Sequence, residues 1–154
     1  MRPASAIPRS VSARTVPGAQ VAALPYREGP NGIEILLITS RRTHRWIVPK
    51  GWPVKGSTPS ADAAREALEE AGISGEIAEA PIGVFHYIKE MKHGVGVPCR
   101  VALFPLKVLR RKRSWSEKAA RETKWHSVAE AAALVAEPEL KRLIMKFGAS
   151  HPQS

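Results

Sequence analysis

Residues 51–73 read GWPVKGSTPSADAAREALEEAGI, and the second half of this stretch carries the marks of a short helix. Thr58 is placed to cap it, Pro59 suits the first helical position and Gly72 suits a left-handed exit. Ala64, Ala67, Leu68 and Ala71 recur at i, i+3, i+4 and i+7, which predicts a narrow apolar stripe facing a core. Glu66, Glu69 and Glu70 are expected to turn away from that stripe, bunched within little more than one turn. Like charges at this spacing each cost roughly a few tenths of a kcal/mol in an isolated helix. Arg65 can pair with Asp62 or Glu69 but cannot neutralise all three glutamates. The cluster suits a hard cation with oxygen ligands, Mg²⁺ above all, which is typically held by one or two carboxylates plus substrate phosphates. The competing reading is an ordinary acidic surface helix, since Glu is a good helix former.

The neighbouring residues favour the metal. Gly51, Arg65, Glu66, Glu69, Glu70, Gly72 and Ile73 stand at the spacing Gly-x5-Glu-x7-Arg-Glu-U-x-Glu-Glu-x-Gly-U, where U is a bulky aliphatic. On these residues the stretch resembles the Nudix box. Two positions depart: Ser57 stands where the first Glu is expected, and Ala67 is smaller than the usual aliphatic. The resemblance implies an α/β/α Nudix sandwich with a mixed central sheet, and hydrolysis of a phosphoanhydride bond assisted by Mg²⁺, with Mn²⁺ as a substitute. Such chemistry needs charge neutralised on the phosphoryl oxygens, a water placed in line and a base for its proton. By similarity, Glu66 and Glu70 look like metal ligands, joined by the carbonyl of Lys50 or Gly51. Glu69 looks like the proton acceptor or a further ligand, and Arg65 would hold the carboxylates in place through paired hydrogen bonds. A hydroxyl at Ser57 cannot supply the missing charge. Either one metal binds more weakly, or a water fills the gap, or Ser57 simply helps cap the helix while the essential site lies in Glu66 to Glu70; the last is preferred. Glu117 and Glu122 are candidates for a fourth carboxylate from a later loop.

Outside the box, Ser40-Arg41, Arg45-Trp46-Ile47-Val48-Pro49 and Trp115-x-Glu117 with Trp125 resemble the Nudix subgroup that cleaves diphosphoinositol polyphosphates and dinucleoside polyphosphates. The resemblance spans roughly residues 20–135. That subgroup typically reads Pro-Lys-Gly-Gly, whereas Pro49-Lys50-Gly51 is followed here by Trp52, which puts loop geometry and substrate fit in question. The net charge of +10 favours polyanionic partners. Arg41, Arg42 and Arg45 precede the loop, Lys50 and Lys55 lie in it, and Lys89, Lys92 and His93 could line a far wall, all as contacts for a polyphosphorylated small molecule. Arg110 to Arg113 is a second basic cluster, either a solvated loop or a polyphosphate or RNA contact. Two rival functions follow: removal of pyrophosphate from RNA 5′ ends, and a non-catalytic Nudix-fold polyphosphate-binding module that lost turnover with its first Glu.

At 154 residues and 44% hydrophobic, the chain suits one globular domain with a real core. No apolar run reaches membrane-spanning length, so no membrane partner is expected. The single cysteine, Cys99, rules out an internal disulfide framework and fits a reducing, cytoplasmic setting as a buried small residue in a strand. Residues 1–17 hold three Pro, three Ser and three Arg with no acid, and are expected to be a flexible tail. The domain is expected over 18–148, with 149–154 a loose tail. Val21–Leu24 reads as a strand, Pro30-Asn31-Gly32 as a hairpin turn and Ile33–Thr39 as a strand buried on both faces. Trp46–Val48 is a short strand, and Ile73–Lys89 carries two short strands around Pro81-Ile82-Gly83. Val97–Leu109 reads as a returning strand in which Pro98 and Pro105 argue for an edge position or a bulge. Ser127–Glu130 is a capping box opening a helix, and Pro138 starts a last helix with Leu140, Leu143, Ile144 and Phe147 on one face. His44, His86, His126 and His151 show no metal-ligand spacing.

Overall fold

The computed structural model describes residues 18–151, apart from the side chain of Lys92. The expected tail over residues 1–17 lies outside the described residues. Among those described, eight strands form one mixed sheet: β1 (Ala19–Gly29), β2 (Gly32–Thr39), β3 (Trp46–Ile47), β4 (Lys50–Gly51), β5 (Ile73–Ile77), β6 (Gly83–Glu90), β7 (Gly96–Arg111) and β8 (Thr123–Ser127). The helices are α1 (Pro59–Ala71), α2 (Val128–Leu134) and α3 (Pro138–Ala149). Strands β1 and β7 run parallel at the centre, and every other pairing is antiparallel. No described helix is long and apolar enough to cross a membrane.

The hairpin between β1 and β2 turns on Pro30 and Asn31, with Gly29 opposite Gly32 and the positive φ of 116° falling on Gly32. Strand side chains alternate between faces. Ala22, Leu24, Ile35 and Leu37 therefore meet α2 and α3 through Ala131, Leu140, Ile144 and Phe147. Val21, Ala23, Leu36 and Ile38 meet Ala63, Ala67 and Ala71 of α1 on the other side. This is the expected three-layer α/β/α sandwich, and it explains why β2 is aliphatic on both faces.

Three expectations are corrected. First, the buried face of α1 is Ala63, Ala67, Glu70 and Ala71, whereas Ala64 and Leu68 are only half-buried. The helix is rotated so that its smallest side chains meet the sheet, and Glu70 goes inward with them. Second, β7 is an interior strand, not an edge. Pro105 is tolerated because the carbonyls of Leu103 and Pro105 point toward the β5–β6 side, accepting from Ile82 and Ala78 at 2.9 Å each. The missing N–H of Pro105 thus faces the break between β5 and β6 rather than β1. Pro98 precedes Arg100, where pairing of β7 with β1 begins. The irregularity in β7 sits elsewhere, between Arg110 and Val108 opposite Ser74 and Gly75. Third, of the segment expected as a loose tail over 149–154, Ala149 closes α3 and His151 packs against Phe147 at 4.2 Å and Tyr26 at 5.6 Å, while 152–154 lie outside the described residues.

Candidate active site

Helix α1 begins and ends as its residues dictate. The Thr58 hydroxyl accepts from the Ala61 N–H at 3.2 Å, and Gly72 takes φ 70° while donating to Leu68 O at 3.0 Å. A Cβ at Gly72 would overlap the Trp115 ring, so this exit also seats the 115–121 segment. That segment is fastened to the helix end by Glu117 N–H, which donates to Glu69 O at 3.1 Å.

Within this frame Glu70 is 7% exposed, and its Oε1 accepts from the Lys50 backbone N–H at 3.2 Å. Strand β4, which pairs Lys50 and Gly51 with Ala22 and Val21, brings that amide to the helix. Glu66 is largely covered by Gly51, where any Cβ would overlap its carboxylate. Burial pushes the Glu70 carboxyl up to about 8; Arg121 pulls the other way, and the adjacent Glu66 adds to the rise. Burial likewise brings the Lys50 ammonium down to about 8, opposed by Glu70. Two carboxylates pressed together with too little countercharge form a site that favours a bound cation.

The pair opens at Glu70 onto a cleft of ≈ 830 Å³. Its lining includes Arg41, Arg42, Arg45, Lys50, Lys89 and Arg121, with Gln20, Tyr87 and Glu90 among the remainder. The loop bearing the first three arginines is closed on itself: Ser40 N–H donates to Arg45 O at 2.8 Å, and Arg45 N–H to the Ser40 hydroxyl at 2.9 Å. Lys50 Nζ lies 4.7 Å from the Tyr87 ring centroid, and the Tyr87 hydroxyl donates to Gln20 Oε1 at 2.6 Å. Arg121 is nearly buried: its Nε donates to Glu117 Oε1 at 2.7 Å, its NH1 to Thr39 O at 3.0 Å, and its NH2 stands 3.7 Å from Glu70 Oε2.

The structure therefore gathers Glu70, Lys50, Arg41, Arg42, Arg45 and Lys89 at the cleft, with Glu66 beside Glu70 but outside the lining. It does not bring every expected residue to the cleft. Glu69 is half-exposed, 3.7 Å from Arg65 Nε, and is not part of the lining. Lys55 is exposed on the 52–57 loop, also outside the lining, and the side chain of Lys92 lies outside the described residues. Arg65 contacts Asp62 at 2.6 Å, Glu66 at 3.4 Å and Glu69 at 3.7 Å. Glu117 is committed to Arg121, while Glu122 gives its backbone N–H to the Thr39 hydroxyl at 2.9 Å and keeps an exposed side chain. Sequence reading missed Arg121, Gln20 and Tyr87. The signals available were the four-residue spacing of Glu117 and Arg121, which allows a pair, and a lone polar residue entering an apolar strand at Gln20.

Among the described residues no three His, Cys, Asp or Glu side chains are gathered as a ligand shell. The donor set on offer is the Glu66–Glu70 pair. That set fits Mg²⁺, which keeps several waters and takes the rest of its octahedron from substrate phosphates.

A three-layer sandwich with a carboxylate helix beside a cationic cleft defines a class of phosphate-handling domain, and sequence similarity specifies which. The family model for the NUDIX domain matches residues 16–147, and the chain belongs to that family. Nudix hydrolase 12, mitochondrial, of Arabidopsis thaliana is 32% identical over 120 residues, covering 76% of this chain and 59% of that protein. Diphosphoinositol polyphosphate phosphohydrolase 3-alpha of Mus musculus is 30% identical over 114 residues, covering 73% of this chain and 65% of that one. The chain thus spans roughly half to two-thirds of the length of these curated relatives. The crystal structure of C. elegans Ap4A hydrolase superposes with a TM-score of 0.62 at 26% identity, covering 85% of this chain and 96% of that one. A NUDIX hydrolase from Nitrosomonas europaea shares the fold, with a TM-score of 0.67 at 20% identity.

Proposed function

We propose that the protein is a divalent-metal-dependent hydrolase of phosphoanhydride bonds in polyphosphorylated small molecules, a dinucleoside polyphosphate or a diphosphoinositol polyphosphate. The observation that carries this reading is buried Glu70, with the partly covered Glu66 beside it, at the edge of a cleft lined by Arg41, Arg42, Arg45, Lys50, Lys89 and Arg121. The names of the mouse phosphohydrolase and the nematode Ap4A hydrolase point to the same two substrate classes.

Glu66 and Glu70 would hold a cation of the Mg²⁺ type, which when bound neutralises phosphoryl oxygens and activates water. The three loop arginines and Lys89 grip the outer phosphates. Arg121, fixed by Glu117 and the Thr39 carbonyl, presents a preorganised guanidinium to charge that develops near Glu70. Glu69, the remaining carboxylate on the turn, would serve as the proton acceptor or a further ligand by turning from Arg65 toward the cleft, whose lining it does not join in this structure. Ser57 lies exposed before the helix, its hydroxyl directed to the Thr58 carbonyl at 3.5 Å, so its identity leaves the Glu66–Glu70 pair intact. That placement favours a working site over a binding module that lost turnover.

The test is hydrolysis of a panel holding a dinucleoside polyphosphate, a diphosphoinositol polyphosphate and 5′-triphosphorylated RNA, with Mg²⁺ or Mn²⁺, products read by mass. Glu70→Gln is expected to lower kcat by about 10²- to 10⁴-fold. No metal-dependent product from any substrate, with Glu70→Gln indistinguishable from the natural chain, would end the hydrolase reading. Preference for the RNA would move the assignment to a 5′ pyrophosphohydrolase.

A further inference from the structure

Asp62 stands apart from the residues discussed so far. It is 0% exposed, in the first turn of a helix whose other buried side chains, Glu70 aside, are alanines. A carboxylate removed from water costs several kcal/mol unless it is paired and hydrogen-bonded, in the range of about 3–5 kcal/mol when a buried partner is lost. An acid in the first turn complements the helix dipole, but an exposed one would do so without the cost of burial. Asp62 is fully engaged instead: Oδ2 accepts from the Val54 backbone N–H at 3.1 Å and Oδ1 from Arg65 NH1 at 2.6 Å. Burial would raise the Asp62 carboxyl, but these contacts, the Arg65 guanidinium above all, hold it below its ordinary value.

These contacts form a chain of positions. Val54 belongs to the exposed 52–57 loop that follows Gly51, whose missing Cβ makes room for the Glu66 carboxylate. Arg65, anchored by its short contact to Asp62, reaches Glu66 and Glu69 only at 3.4 and 3.7 Å. The long contacts steer the two carboxylates without closing on them. Without the anchor, the guanidinium would be free to close on Glu66 and draw it away from Glu70.

We propose that Asp62 is a positioning residue of the site: it ties the 52–57 loop to Arg65, and supplies from inside the helix the negative charge that Ser57 does not. Its consequence for catalysis rests on the hydrolase reading; its hold on the loop and on Arg65 does not.

The experiment uses the full chain and two readouts that need no substrate: amide exchange at Val54, and Mn²⁺ affinity by calorimetry. Asp62→Asn, nearly isosteric, is expected to speed exchange at Val54 and to weaken Mn²⁺ binding by about 10- to 100-fold. Ser57→Glu added to Asp62→Asn returns a carboxylate beside Arg65 and recovers Mn²⁺ affinity. Ser57→Glu alone changes Mn²⁺ affinity less than about twofold, because the charge is already present; that arm carries the test if Asp62→Asn does not fold. Tenfold or greater tightening by Ser57→Glu alone would overturn the proposal. So would unchanged Val54 exchange together with unchanged Mn²⁺ affinity in Asp62→Asn. If the natural chain binds no Mn²⁺, the hydrolase reading fails, and Val54 exchange in Asp62→Asn then decides the role of Asp62: faster exchange supports it, unchanged exchange overturns it.

Discussion

Glu70 owes its position to alanine neighbours, and its protonation to that position. Three alanines bring α1 close to the sheet, so the carboxyl is buried beside Glu66, and the nearby Arg121 does not offset the loss of water. The folded state therefore binds a proton more tightly than the unfolded chain does, between the ordinary 4.5 and about 8. Across that window the native state holds more protons, so stability must fall as pH rises. Lys50 acts in the opposite sense above it: its pKa is lowered from 10.5 to about 8, so deprotonation relieves the folded state as pH climbs further. With divalent ions chelated, Tm is expected to decline from pH 5 toward pH 8 and to recover above it, and Glu70→Gln should flatten the decline. A denaturation series in chelating buffer checks this. A Tm rising steadily from pH 5 to 8 in the natural chain would contradict the burial of Glu70.

On the scale of elements, the capping of α1 could be read directly because caps depend on residues within one turn. Thr58, Pro59 and Gly72 do what their chemistry requires. The direction the helix faces could not be read in this way. Two stripes, 64/67/68/71 and 63/67/70/71, both begin and end in alanine, and only the sheet's demand for small side chains selects the second. Ala67, 0% exposed between Val21, Leu36 and Phe104 on the same face, has no space to grow. Ala67→Leu is expected to cost about 1–3 kcal/mol through overpacking. Ala61→Leu, on the exposed side, should stay within about 0.5 kcal/mol. Urea denaturation of both variants measures the difference. Equal costs would mean that the helix packs loosely on the sheet.

At the scale of the whole molecule, two groups of cations stand apart among the described residues. The cleft draws Arg41, Arg42 and Arg45 from the β2–β3 loop, Lys50 from β4, Lys89 from β6 and Arg121 from the segment before β8. Arg110 to Arg113 lie elsewhere, at the end of α1, where Lys112 N–H donates to Gly72 O at 2.8 Å and Arg111 lies 5.2 Å from the Trp115 ring centroid. Cations near a helix C-terminus stabilise its unsatisfied carbonyls, which gives this run a structural role that needs no ligand. Replacing Arg41, Arg42 and Arg45 together by Ser is expected to raise KM for a polyphosphorylated substrate by about tenfold or more, equivalent to ~1.4 kcal/mol. It should also weaken the dependence of kcat/KM on salt, since exposed charges act over roughly a Debye length. Replacing Arg110, Lys112 and Arg113 by Ser should leave KM for the same substrate within about twofold, as rim charges outside a site contribute little. Steady-state kinetics at two salt concentrations distinguishes the sets, and equal effects would argue against the cleft as the phosphate site.

What the amino-acid sequence determined by itself was local or periodic: the capped acidic helix, the Pro30-Asn31 hairpin, the two-sided burial of β2, the Ser127 capping box and the box spacing that marks the family. Each follows from residues a few positions apart, whose geometry the backbone sets directly. The tertiary structure decided what depends on strand order and layer packing: that Glu70 points inward, that Pro105 can sit in an interior strand opposite a break in the ladder, and that Arg121 and Gln20 reach a cleft with residues far away in the chain. Those outcomes come from steric fit and desolvation among segments distant in the chain, and no short-range pattern encodes them.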